Sequence, residues 1–246
     1  MMKSKIFDEY LDLARNSYEY NNYPFPYNED CFCSEYCCCL TDLDTEDIGR
    51  LGLEFDNGAT KGCILSDLED RYVLKVPFHS AYSYDEDIEI EFNNAYVVNW
   101  VTGELISSNT NDDYCFIEKY MSDTFIEAGL GDCICKVELY GDIDGHPIYI
   151  QEKATEQASC HSSSHSYEEC KEFVESMKSS YNKEKYYSTF EDEWAIDFIE
   201  YHGEDKYIKM IDILAASGIN DLHYGNYGYI DDKPVLIDYS GYRENI

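Results

Sequence analysis

Positive charge is what this sequence has least of: 18 Lys and Arg stand against 51 Asp and Glu, a formal net charge of −33 over 246 residues. Such a chain repels phosphate backbones and anionic lipid, which argues against direct nucleic-acid contact and against binding at a membrane surface. Long apolar runs are missing as well, so no segment can span a bilayer as a helix. The basic start MMKSK leads into a mixed amphipathic stretch instead of the apolar core of a signal peptide. These absences predict a cytoplasmic protein whose 11 cysteines stay reduced. Paired CxxC modules are absent too. The crowded Cys31, Cys33, Cys37, Cys38 and Cys39 therefore match no standard zinc module, although thiolates so close could hold the metal. No internal repeat is present.

What is plentiful is apolar and aromatic surface. Hydrophobic residues make up 44% of the chain and 25 tyrosines supply bulky side chains that pack while keeping a hydroxyl wet. That is enough for one large domain or two small lobes. The acidic excess reads either as a solvated surface or as a mimic of DNA phosphate.

Three stretches organise the chain. Residues 1–50 combine an amphipathic helix, carrying Ile6, Phe7, Tyr10, Leu11 and Leu13, with a Cys-rich loop. Residues 51–154 alternate in short runs, with Asn57-Gly58 and Asp144-Gly145 as hairpin turns. In this part the spacing of Ile88, Phe92, Ala95 and Trp100 predicts one helix, and strands are expected near Tyr114–Tyr120 and over the run that starts at Cys133. Cys133 and Cys135 read as packing residues. From residue 155 to 246 a polar, Ser- and His-rich linker precedes helical patterns, of which the second contains Trp194 and Phe198 and stops at Gly218. The fold class is α+β, with an antiparallel sheet followed by a helical part.

The chemistry concentrates between Ile219 and Tyr242. Asp221 is followed five residues later by Asn226. A turn at Asp231-Asp232-Lys233-Pro234 comes next, and then the apolar strand Val235-Leu236-Ile237 ends in Asp238. A loop offering a carboxylate and an amide, with a hairpin returning a second carboxylate, gathers hard oxygen ligands of the kind Mg²⁺ takes together with a substrate phosphate. Each residue also has an ordinary reading, since Asp and Asn favour turns and caps, and His223 would brace the loop.

Asp221-Leu222-His223-Tyr224-Gly225-Asn226 resembles the catalytic loop of the protein-kinase-like superfamily, in the form found in aminoglycoside and choline phosphotransferases and in kinase-like proteins of bacteriophages. Ile237-Asp238-Tyr239-Ser240-Gly241 is similar to its metal-binding Asp-Phe-Gly element, with Tyr for Phe and one extra residue before Gly. Upstream, Tyr72-Val73-Leu74-Lys75-Val76 resembles the strand that carries the ATP-phosphate lysine, and Glu89 or Glu91 would be its carboxylate partner. The run ending in Gln151, Glu152, Lys153 and Ala154 resembles the hinge whose backbone holds adenine. Gly58 and Gly62 stand where the family has a fuller glycine loop, and they also read as plain hairpin glycines.

The resemblance implies a bilobal fold, with a sheet-rich N-lobe and a small, truncated helical C-lobe. It implies ATP and Mg²⁺ as cofactors, with Asp221, Lys75 and Asn226 catalytic and Asn226 and Asp238 on the metal. A hydroxyl of a protein or small molecule would be the acceptor. The other expectation is a pseudokinase or an acidic inhibitor, encoded by a phage, that binds a basic host partner or mimics DNA.

Overall fold

The computed structural model describes residues 2–17, 45–57, 61–77, 96–107, 114–143, 146–156, 190–219 and 224–240. Among these residues the elements run, in chain order, α1 (Lys5–Ser17), α2 (Thr45–Leu51), β1 (Leu53–Asn57), β2 (Lys61–Ser66), β3 (Tyr72–Pro77), β4 (Tyr96–Val98) and β5 (Leu105–Ser107). They continue with α3 (Tyr114–Glu127), β6 (Val137–Ile143), β7 (His146–Glu152), β8 (Thr155–Glu156), α4 (Phe190–His202), α5 (Glu204–Ser217), a 3-10 turn (Tyr224–Asn226), β9 (Tyr227–Ile230) and β10 (Lys233–Leu236). The protein is thus α+β with antiparallel sheets and several helices. No helix among the described residues is long and apolar enough to cross a membrane.

Two compact units divide the chain: one comprises Met1–Ala95, Ser108–Lys119 and Val137–Lys153, the other Tyr96–Ser107, Tyr120–Lys136 and Ala154–Ile246. The first is built on a five-stranded antiparallel sheet in the order β1-β2-β3-β7-β6. Alternation along its strands splits the side chains between two faces. Ile64, Leu74, Val76, Ile148 and Ile150 form one face and share a core with Phe7, Tyr10 and Leu11 of α1. The amphipathic pattern read at the N-terminus is therefore satisfied by this sheet. Polar contacts fix the docking: Tyr140 Oη donates to Ser4 O at 2.7 Å, and Arg15 Nε donates to Asp142 O at 2.7 Å. The register slips between Leu139 and Gly141, where an added Cβ would sit 3.0 Å from Leu11 Cδ1 and 3.1 Å from Arg15 Nη2, so α1 packs closely over the glycine.

The second unit holds a three-stranded sheet, β10-β9-β8, and the β4-β5 hairpin. β9 and β10 turn through Asp231 (φ 50°) and Asp232 (φ 63°), both left-handed, as a two-residue hairpin of matching twist requires. At Gly228 an added Cβ would lie 2.6 Å from Thr155 O, so only glycine lets β8 pair here.

Three sequence expectations are corrected. Tyr114–Glu127 is a helix, not a strand over 114–120. Its buried Cys115, Glu118, Met121, Ser122 and Phe125 recur at three- and four-residue steps, a period that its β-favouring Tyr, Phe and Ile disguise. Tyr96–Val98 is a strand rather than the end of a helix reaching Trp100. The long helical pattern before Gly218 is broken at Gly203 (φ 93°) into α4 and α5, while the second helix stops at Gly218 as expected, with that glycine capping it in the left-handed conformation. The Cys31–Cys39 cluster lies outside the described residues.

Candidate functional site

In the first unit, Lys75 sits at the centre of β3 opposite Cys63 on β2 and Tyr149 on β7, one strand position from Leu74 and Val76. Those neighbours point to the α1 core, so Lys75 belongs to the other face of the sheet. It is only 5% exposed. A buried ammonium needs a counter-charge, and Glu118 of α3 supplies it: Nζ and Oε1 are 3.9 Å apart, and the Glu118 side chain is fully buried. Gln151, on the Lys75 face of β7, donates from Nε2 to the same Oε1 at 3.2 Å. The result is a buried Lys–Glu–Gln network, with strand, helix and strand each contributing one member.

Sequence reasoning missed Glu118. The signal existed, because helical spacing from Cys115 to Phe125 makes residue 118 inward-facing, but a buried glutamate lowers the apparent amphipathicity that would reveal it. The expected partners Glu89 and Glu91 lie outside the described residues, as does Gly58. Gly62 is buried in β2, paired with Asn57 and Val76. Gln151 is aligned with Val73 on one side and Val137 on the other, well inside the sheet, so of the hinge run only the backbone from Glu152 onward passes the end of β6. Lys153 N donates to Arg71 O at 2.8 Å, tethering that exit.

In the second unit the β9-β10 hairpin brings two predicted metal ligands to one end. Tyr227 pairs with Leu236, so Asn226 and Ile237 flank the last rung. Ile237 N donates to Asn226 O at 2.7 Å. Asn226 is buried, at 4% exposure, and Asp238 is half-buried one residue further on. Asp238 Oδ1 accepts from Ser240 N at 3.2 Å and Ser240 Oγ at 3.1 Å, which holds the carboxylate in a fixed orientation. Behind it, Tyr239 is buried against Phe125 with ring centroids 5.6 Å apart, and donates from Oη to Cys135 O at 2.6 Å. Asp221 and His223 lie outside the described residues.

Comparison with models of known protein families, with curated proteins and with solved structures returns no match. A buried strand lysine paired with a helix glutamate can orient an anionic group, and an amide with a fixed carboxylate offers the hard oxygen donors that suit Mg²⁺.

Proposed function

We propose that this chain is an ATP-dependent phosphotransferase of the protein-kinase-like type, bilobal, acting on a hydroxyl of a protein or small molecule. The observation that carries the reading is the buried Lys75–Glu118 pair, because a strand lysine held by a helix glutamate is the arrangement that orients nucleotide phosphates in that superfamily. Burying a charged pair costs several kcal/mol of desolvation per ion, which a purely structural role would avoid more cheaply with apolar residues.

In this reading Glu118 and Gln151 fix Lys75, and Lys75 neutralises phosphate oxygens. Asn226 and Asp238 would hold Mg²⁺ through the amide and carboxylate oxygens, and the Asp238–Ser240 contacts keep that carboxylate preorganised. The bound ion would neutralise charge developing on the transferred phosphoryl group. Asp221 accepts the proton of the acceptor hydroxyl as it attacks.

The test is transfer of labelled γ-phosphate from ATP with Mg²⁺ to the chain itself and to a panel of protein, aminoglycoside and choline acceptors. Transfer should fall about 100-fold or more in Asp221→Asn and likewise in Asp238→Asn. Transfer that ignores both substitutions would remove the assignment.

The charge of −33 favours a second reading, an acidic interaction protein on a kinase-like scaffold. It predicts salt-sensitive capture of a basic partner that persists in Asp221→Asn and Asp238→Asn.

A further inference from the structure

Within the second unit lies a group of side chains that the proposed phosphotransfer does not use. His202 closes α4, and its ring is buried against Phe198, with centroids 4.6 Å apart. His202 Nε2 is 2.9 Å from Pro234 O. A carbonyl only accepts, so Nε2 carries the hydrogen and Nδ1 of the neutral ring presents its lone pair. That lone pair faces the Asp132 carboxylate, at 3.7 Å from Oδ2. Two electron pairs so opposed call for a proton or a cation between them. Cys133 completes the group, with Sγ 3.5 Å from Asp132 Oδ1, and the three ligand atoms lie within 4.8 Å of one another.

We propose that Asp132, Cys133 and His202 form a binding site for a zinc-class divalent cation. Tetrahedral zinc with sulfur, nitrogen and oxygen ligands at its usual bond lengths sets ligand atoms about 3.3–3.6 Å apart. The two separations given above, one to each oxygen of the Asp132 carboxylate, are near that spacing, and the three ligand atoms need to draw in from within 4.8 Å of one another. The Nε2–Pro234 bond is the second-sphere contact expected of a metal-ligating histidine, fixing tautomer and ring plane. The position at the C-terminus of α4 also favours positive charge. Three protein ligands leave a fourth position for water.

Lys206 now occupies the carboxylate, donating to Asp132 Oδ1 at 2.9 Å and Oδ2 at 2.7 Å. It is partly exposed and can swing to water when a cation binds, at the modest cost of one surface ion pair. The Nε2–Pro234 hydrogen bond leaves Nδ1 as the ligating atom, and the buried Cys133 thiol keeps its proton until a cation displaces it. Loading therefore breaks the S–H bond, forms the S–metal bond and releases one proton to water.

The site has a structural consequence in the same unit. Leu236 N donates to Cys133 O, and Cys135 N donates to Leu236 O, each at 2.9 Å. A cation tying Asp132 and Cys133 to α4 would stiffen the strand that leads into Asp238.

The experiment uses the full chain with Cys31, Cys33, Cys37, Cys38 and Cys39 changed to Ser, so that the crowded thiols do not compete. Zn²⁺ is titrated by calorimetry, and Co²⁺ is followed by optical spectroscopy. One equivalent of either ion should bind, with a thiolate-to-cobalt charge-transfer band, and Cys133→Ser, His202→Ala and Asp132→Asn should each weaken binding by about tenfold or more. Asp132 is exposed, so its variant keeps the fold should a buried one fail, as circular dichroism would report. Absence of saturable binding, or binding equal in all three variants, would overturn the site and leave Lys206 as the cation that Asp132 serves.

Discussion

Replacing Lys75 by Met is expected to destabilise the first unit by about 3–5 kcal/mol and to lower affinity for Mg²⁺-ATP by roughly 30- to 700-fold. The two effects have different origins. The stability loss arises because Glu118, fully buried, loses its counter-charge. Under the proposed function, the affinity loss follows from removing a desolvated cation that would meet phosphate, a truncation that costs about 2–4 kcal/mol.

A double-mutant cycle separates them. Glu118→Gln alone strands the Lys75 ammonium and should cost a similar 3–5 kcal/mol. With Lys75→Met and Glu118→Gln together, no buried charge remains and the new amide oxygen still accepts from Gln151 Nε2. Stability should then return to within about 2 kcal/mol of the parent. Nucleotide affinity should not return. Urea midpoints and ATP titrations on the four proteins give both readouts. Recovery of binding in the double variant would show that Lys75 is there for packing alone.

Trp194→Ala is expected to cost about 3–5 kcal/mol, the range for emptying a large aromatic site. Trp194 is 2% exposed, stacks on Tyr227 with centroids 4.3 Å apart, touches Phe198 at 5.1 Å and donates from Nε1 to Gly228 O at 3.2 Å. Tyr227 directly follows Asn226, and at Gly228 an added Cβ would lie 2.6 Å from Thr155 O of β8. The hairpin that presents Asn226 and Asp238 thus leans on one indole. Trp194→Phe should keep most of the packing and lose the hydrogen bond, costing nearer to 1 kcal/mol. Mg²⁺-dependent nucleotide binding should weaken in the same order. A change below about 1 kcal/mol in Trp194→Ala would mean that the hairpin stands without this contact.

The legible parts of the sequence were those where local chemistry decides the structure. β3 was recognisable because Val73, Leu74, Lys75 and Val76 form a short apolar run with one charge, and the β9-β10 turn because two Asp residues tolerate left-handed backbone. The neighbouring placement of Asn226 and Asp238 followed from that turn. Long-range partners were not legible. Ser4 and Tyr140 are 136 positions apart, and nothing in the N-terminal helix names the sheet it will cover. Glu118 was hidden twice, by aromatic residues that favour strands and by a charge placed where a helix ordinarily buries an apolar side chain. Gly203 looked compatible with one helix until the observed φ of 93° showed a break.

The proposed function assigns Lys75 to the phosphates of a nucleotide and Asp238 to its Mg²⁺. The most direct measurement treats the full chain with an ATP acyl-phosphate probe, which transfers its acyl tag to an amine near the nucleotide phosphates, and locates the tag by mass spectrometry. The account predicts a tag on Lys75 that excess ATP with Mg²⁺ prevents and that Asp238→Ala strongly reduces. A Lys75 left untagged, or tagged to the same extent with ATP present and with Asp238 replaced, would contradict it.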